Sequence, residues 1–132
     1  MYPTDYRYSK EHEWIKVDGN IATLGITDYA QQELGDVVFV EVPKVGTAVM
    51  AGKSFGTVES VKAVSEIFSP ITGEITETNS TLSATPEKIN SDPHGEAWLV
   101  KIKLSDPKEV SSLMDAAAYQ AYIAAKAKET SA

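Results

Sequence analysis

Six short runs of alternating apolar and polar residues between Trp14 and Leu104 leave little room for any architecture but a β one. They are Trp14-Ile15-Lys16-Val17, Ile21-Ala22-Thr23-Leu24-Gly25-Ile26, Val37-Val38-Phe39-Val40-Glu41-Val42, Ser54-Phe55-Gly56-Thr57-Val58, Gly73-Glu74-Ile75-Thr76 and Trp98-Leu99-Val100-Lys101-Ile102-Lys103-Leu104. Side chains alternate faces along a strand, so each run predicts a strand with one side turned to a core. Asp18-Gly19-Asn20 is a hairpin turn signal, and many short strands at close spacing fit an antiparallel sandwich or barrel. The 132 residues suffice for one self-supporting domain, 1–132, with a core over about 6–123.

Three helical pieces are predicted between and after the strands. Thr27 can cap a helix running to Leu34 that Gly35 ends, and Thr85-Pro86 has the form of an N-cap and first helical position. Asp106-Pro107-Lys108-Glu109 is the clearest start, with Glu109 placed to reach back to the cap. Val110, Leu113 and Met114, then Tyr119, Tyr122 and Ile123, read as amphipathic turns laid on the sheet, and the tail over 124–132 is expected to fray. Pro43-Lys44-Val45-Gly46 recurs as Pro70-Ile71-Thr72-Gly73, a weak hint of two halves related by a pseudo-twofold.

Within this β pattern lies a near-palindrome. Glu59-Ser60-Val61-Lys62 reads outward against Ala63-Val64-Ser65-Glu66, so folding the chain between Lys62 and Ala63 pairs Val with Val, Ser with Ser and Glu with Glu. That places one lysine at the tip of a tight hairpin, braced at its base by β-branched Val61 and Val64. Two features oppose the arrangement on stability grounds. Lys62-Ala63 offers none of the Asn, Asp or Gly that supply positive φ in a two-residue loop, and Glu59 opposite Glu66 sets like charges together. A pattern kept against those costs points to recognition of the lysine.

Composition removes most other functions. With 12 Lys+Arg against 19 Asp+Glu the net charge is -7, which repels a phosphate backbone, so no nucleic acid partner is expected. The absence of cysteine excludes disulfides, thiolate metal sites and cysteine nucleophiles. No run approaches a membrane span, and the first residues resemble neither a secretory signal nor a transit peptide, which favours a cytoplasmic setting and leaves the Asn79-Ser80-Thr81 sequon without meaning. Gly52-Lys53-Ser54 is not a phosphate loop, because five residues rather than four separate Gly52 from Gly46 and a strand follows. His12 and His94 have no metal-ligand spacing, no Gly-x-Ser-x-Gly accompanies a serine, and the chain is expected to have no catalytic or metal residues of its own. What remains is an exposed amine. Such an ammonium is a poor nucleophile unaided, so an outside catalyst and an activated acyl donor are required to use it.

Val58-Glu59-Ser60-Val61-Lys62-Ala63, together with Tyr8-Ser9-Lys10-Glu11-His12-Glu13-Trp14, Gly25-Ile26-Thr27-Asp28-Tyr29-Ala30, Leu34-Gly35-Asp36-Val37-Val38-Phe39-Val40 and Ser69-Pro70-Ile71-Thr72-Gly73, resembles the H protein of the glycine cleavage system. The likeness runs from about Tyr6 to Ile123. It implies a mostly β, hybrid barrel-sandwich fold of the biotinyl and lipoyl carriers, with short peripheral helices and a C-terminal helix. Lys62 would carry lipoate through an amide, and Glu59 and Gly73 match positions that lipoylating enzymes need in this superfamily.

The resemblance implies a non-catalytic, monomeric carrier. Its partners would be a pyridoxal-phosphate glycine decarboxylase, a tetrahydrofolate-dependent aminomethyltransferase, a flavin dihydrolipoamide dehydrogenase and the lipoate ligase or lipoyl/octanoyl transferase that installs the arm. In that family the loaded arm folds back into a cleft that shields the aminomethyl group, and Glu13, Glu33 and Glu66 stand at the corresponding positions. The setting would be a bacterial cytoplasm, or a mitochondrial matrix if a transit peptide preceded this chain. Three alternatives stay open: a lipoyl or biotinyl domain of another complex, which usually has Asp-Lys-Ala or Met-Lys-Met at the tip; an added duty as lipoyl donor to other carriers; and an unmodified β-rich interaction module.

Overall fold

A computed structural model describes residues 2–131, with side chains as far as residue 126. The strands are β1 (Arg7–Tyr8), β2 (Glu13–Asp18), β3 (Ile21–Ile26), β4 (Val37–Glu41), β5 (Ala48–Val49), β6 (Ser54–Ser60), β7 (Val64–Phe68), β8 (Gly73–Thr78) and β9 (Val100–Leu104). The helices are α1 (Asp28–Leu34), α2 (Thr81–Ala84), α3 (Lys88–Ser91) and α4 (Ala116–Ser131), with a 3-10 helix at Pro107–Ser112. Every alternating run contains a strand, although Val42 lies beyond β4 and Trp98 and Leu99 precede β9. The two-residue strands β1 and β5 escaped the sequence reading because two residues carry no period.

Two antiparallel sheets face each other, one ordered β1-β2-β3-β9-β8-β5 and the other β4-β6-β7. Between them Ile15, Leu24, Val58, Ile67, Ile71, Ile75, Leu99 and Ile102 are almost wholly buried. At about 25 cal/mol per Å2 of apolar surface removed from water, such side chains supply most of the cohesion. A second cluster seals the outer edge of the larger sheet, where Tyr8 stacks on Tyr119 of α4 at 4.8 Å between ring centres and Trp14 donates its indole N–H to Pro93 O at 2.8 Å.

Local chemistry explains the turns. Strands β2 and β3 pair from Glu13↔Ile26 to Asp18↔Ile21, leaving Gly19-Asn20 as the loop. Thr27 caps α1 by accepting the Ala30 N–H at 3.2 Å, and Gly35 ends it with φ 78 and ψ −155, a region essentially closed to other residues. Gly73 is needed for space, since a Cβ there would lie 2.1 Å from the Lys103 carbonyl oxygen on β9.

Three expectations are corrected by the structure. Thr85 closes α2 by bonding its hydroxyl to Thr81 O at 2.9 Å, so Thr85-Pro86 does not cap the next helix; α3 starts at Lys88 with no side-chain cap. Asp106 caps as predicted, accepting the Lys108 N–H at 3.1 Å, but the segment is 3-10 and Glu109 points away from the cap. Its carboxylate instead takes the Thr72 N–H and hydroxyl at 2.6 and 2.8 Å, two donors on one residue in place of the single N–H the cap would offer. The two Pro-x-x-Gly phrases also differ, for Gly46 sits in a turn at φ 95 whereas Gly73 is a strand residue, although β5 and β8 that follow them do pair. The backbone of α4 is helical through Ser131, and of the tail over 124–132 that the sequence expects to fray, residue 132 and the side chains beyond Lys126 lie outside the described residues.

Gly73→Ala is expected to destabilise the protein by about 1–3 kcal/mol or more through overpacking against β9. Urea denaturation measures it, and an unfolding midpoint equal to that of the parent protein would mean the strands part at no cost.

Candidate functional site

The hairpin of β6 and β7 carries the site, in a register the palindrome did not predict. Glu59 pairs with Val64, Val58 with Ser65 and Thr57 with Glu66, and the Ser60 N–H reaches Ala63 O at 2.8 Å. The loop is therefore Val61-Lys62, one residue earlier than the symmetric pairing requires. Ser60 explains the shift, because its hydroxyl oxygen accepts the Lys62 and Ala63 N–H groups at 3.3 and 3.1 Å. That side-chain turn needs no positive φ, and among the described non-glycine residues only His12 has one. Val61 and Val64 consequently do not brace one another. Both project into solvent, 71% and 66% exposed, and Glu59 lies in a row between Phe39 and Val64 instead of facing Glu66.

Lys62 is exposed and, among the described residues, takes part in no ion pair. It is nevertheless not suspended in water. The Val61 N–H leaves the hairpin to donate to Asp36 O at 3.0 Å, just past the end of α1, and the lysine stem lies over Gly35, its Cε 3.4 Å from where a Cβ would stand.

Beside the tip opens a cleft of about 310 Å3, bounded by Ala63 to Ile67 of the hairpin, by Ala30, Glu33 and Leu34 of α1, and by Glu11, His12 and Glu13. The three carboxylates singled out from the sequence, Glu13, Glu33 and Glu66, all line it. They are not equivalent. Glu33 and Glu66 are exposed at the rim, whereas Glu13 is 2% exposed. Its carboxylate accepts the Ser9 hydroxyl at 2.5 Å and the Phe68 N–H at 3.1 Å. Burial pushes the Glu13 carboxyl up to about 7, an effect that these hydrogen bonds only partly offset and that the nearby Glu11 charge increases. Ile26, Ala30, Leu34, Val58 and Ile67 give the cleft an apolar lining. An aliphatic chain with a cationic end matches that combination.

Three further contributors had no site role in the sequence pattern. His12 holds a left-handed backbone at φ 70, and its Nδ1 lies 2.8 Å from the Tyr119 hydroxyl, itself 2.7 Å from Thr27 Oγ1. Burial lowers the His12 pKa, assisted by Lys126 and opposed by Glu33. Ser9 anchors Glu13, and Asn90 bonds to the α1–β4 corner beneath the lysine. No spacing rule exposes such residues, since Asn90 and Gly35 are 55 positions apart. His94 is a packing residue, its Nε2 accepting the Asp28 N–H at 3.0 Å. Among the described residues no helix is long and apolar enough to cross a membrane.

A two-sheet β scaffold with an exposed lysine on a hairpin tip, next to a cleft suited to a tethered chain, defines a carrier module of the barrel-sandwich class. The family model described as glycine cleavage H-protein matches residues 6–126. The chain is 57% identical over 122 residues to the glycine cleavage system H protein of Acidobacterium capsulatum, covering 92% of this chain and 94% of that one. It is 54% identical over 126 residues to that of Koribacter versatilis, covering 96% and 97%. The crystal structure of a glycine cleavage system H protein from Mycobacterium marinum superposes with a TM-score of 0.82 at 39% identity, over 89% of this chain and 94% of that chain. The chain belongs to the glycine cleavage H-protein family, the lipoyl carriers of the glycine cleavage system.

The buried Glu13 has a thermodynamic signature. Its folded pKa of about 7 lies above the reference 4.5, so between those values the folded state holds a proton that the unfolded chain has lost. Stability therefore falls as pH rises through this window, by roughly 3 kcal/mol once the carboxyl is fully ionised. Urea unfolding at about pH 5 and about pH 7.5 is expected to show that loss in the parent protein, and Glu13→Gln is expected to flatten it.

Proposed function

We propose that Lys62 is the attachment point of lipoate and that the protein carries the aminomethyl group of glycine between partner enzymes. The observation that carries this reading is an exposed lysine whose neighbour Ala63 lines an apolar, carboxylate-bearing cleft. The residues present fit the group: an accessible amine for the amide, an apolar wall for an aliphatic arm, and Glu13 at depth for a cationic end. Once attached, lipoate supplies a disulfide that accepts the one-carbon unit and is later regenerated by oxidation.

The chain's own residues do everything else. Ser60 shapes the turn, and the Asp36 carbonyl and Gly35 hold the stem over the end of α1, the helix that forms one wall of the cleft. Glu59, exposed between Phe39 and Val64, stands where a lipoylating enzyme can read it. Gly73 is assigned to recognition only indirectly, because its steric role in β8 accounts for it and any enzyme that needs it needs the sheet it permits. Glu13 holds a terminal ammonium as an ion pair, and such a cation stabilises its ionised form; Glu33 and Glu66 raise the negative potential at the mouth. The cleft walls keep water from the cargo. The bracing role of Val61 and Val64 is not carried forward.

In this reading the partners are the glycine decarboxylase, the aminomethyltransferase, dihydrolipoamide dehydrogenase and a lipoate ligase or lipoyl/octanoyl transferase. The protein itself catalyses nothing and acts as their shared substrate, in the cytoplasm of a bacterium as its relatives suggest.

Lys62→Ala is expected to leave the unfolding midpoint nearly unchanged, since an exposed tip residue contributes little packing, while abolishing lipoylation and carrier activity. Peptide mapping after incubation with lipoate ligase, lipoate and ATP checks the site; an adduct on any other lysine refutes it. Glu13→Gln is expected to hasten ammonia release from the loaded carrier several-fold, and an unchanged rate would deny Glu13 a protective part.

A further inference from the structure

We propose that Asn90, remote in sequence from the hairpin, is a positioning residue for Lys62: it locks the Gly35–Asp36 corner from which the lysine-bearing turn is hung. This rests on the reading of Lys62 as the modified residue.

The hairpin does not by itself determine where its lysine points. The Val61 N–H is bonded to Asp36 O at 3.0 Å, and the Lys62 stem lies over Gly35. Whatever moves that corner moves the amine. The corner is poorly held by its own segment. Gly35 has the φ 78, ψ −155 conformation that only glycine adopts readily, its N–H returns to Gln31 O at 2.9 Å, and β4 loses its regular register between Val37 and Phe39, immediately after the corner. A chain reversal followed at once by a bulge has few ladder bonds to define it.

Asn90 supplies what is missing. Its Nδ2 donates to Gly35 O at 2.8 Å and to Gln31 Oε1 at 2.9 Å, and its Oδ1 accepts the Val37 N–H at 2.9 Å. One half-buried amide thus joins the last turn of α1, the residue that ends it and the first residue of β4. An Asn side chain offers two donors and an acceptor oxygen, and here both kinds are used on the same corner. Near neutral pH no other side chain of this length provides both, since an aspartate there would only accept. The consequence is preorganisation: an enzyme that must find the amine in one orientation meets it already set, so loosening the corner reduces the competent fraction and raises the apparent KM.

The test uses the full-length unmodified protein with lipoate ligase, lipoate and ATP. Asn90→Ala is expected to raise the KM for the carrier about tenfold with kcat within about twofold. Asn90→Asp, which turns a carboxylate oxygen on Gly35 O and Gln31 Oε1, is expected to be as impaired near neutral pH and to recover as the pH is lowered and a donor returns. A merely structural Asn90 would lower the unfolding midpoint and leave KM alone, and that result overturns the proposal. Hydrogen exchange of the parent protein tests it even if the variants do not fold. The Val61 amide is expected to be protected together with that of Val37, and a freely exchanging Val61 beside a protected Val37 overturns it. Failure of the parent protein to accept a lipoyl group would sink the reading of Lys62, a result the exchange data do not share.

Discussion

One backbone hydrogen bond, from the Val61 N–H to the Asp36 carbonyl, gives the tip of the β6–β7 hairpin its place in the molecule. A hairpin loop ordinarily directs its free N–H groups to water, and its end then wanders on the timescale of loop motion. Here the tip is sewn to the corner that ends α1, so the lysine is held as firmly as that corner, which the Asn90 amide bonds on both sides. The bond is possible because the loop is Val61-Lys62, which the Ser60 hydroxyl allows without any residue at positive φ.

The cleft beside that tip balances two opposed demands. An apolar wall excludes water and favours an aliphatic arm, yet the same exclusion penalises the Glu13 charge and raises its pKa to about 7. Ser9 and the Phe68 N–H moderate the penalty without removing it. A carboxyl poised near neutrality responds strongly to an arriving cation, since an opposite charge at close range stabilises the ionised form. The site is thus built to be most attractive to a positive group and least comfortable empty, a cost borne by folding stability. The rim residues Glu33 and Glu66 are exposed to water.

Much of this was legible from residue order. Alternation identified six of the seven longer strands and the palindrome the seventh, β7; Thr27 and Gly35 bounded α1, and the likeness around Lys62 pointed to the family to which the chain belongs. Where the reading failed, it failed over competition between partners. The palindrome around Lys62 treats side-chain matching as decisive, but one serine hydroxyl bonding two amides outweighs it and shifts the register. Glu109 stands three residues from the Asp106 cap and 37 from Thr72, and the pair of donors on Thr72 won. Asn90 carried no signal, since an asparagine between two short helical turns resembles any loop residue until the corner it joins is placed beside it.

Sequence alone determined the class of architecture and the identity of the projecting lysine, because strand periodicity and turn chemistry are local properties that a chain carries wherever it goes. Tertiary structure decided which way that lysine leans, how deeply Glu13 is buried relative to Glu33 and Glu66, and which distant side chain holds the corner beneath the tip. Those depend on solvent exclusion and on hydrogen-bond partners tens of residues apart, and neither exists until the two sheets close on each other.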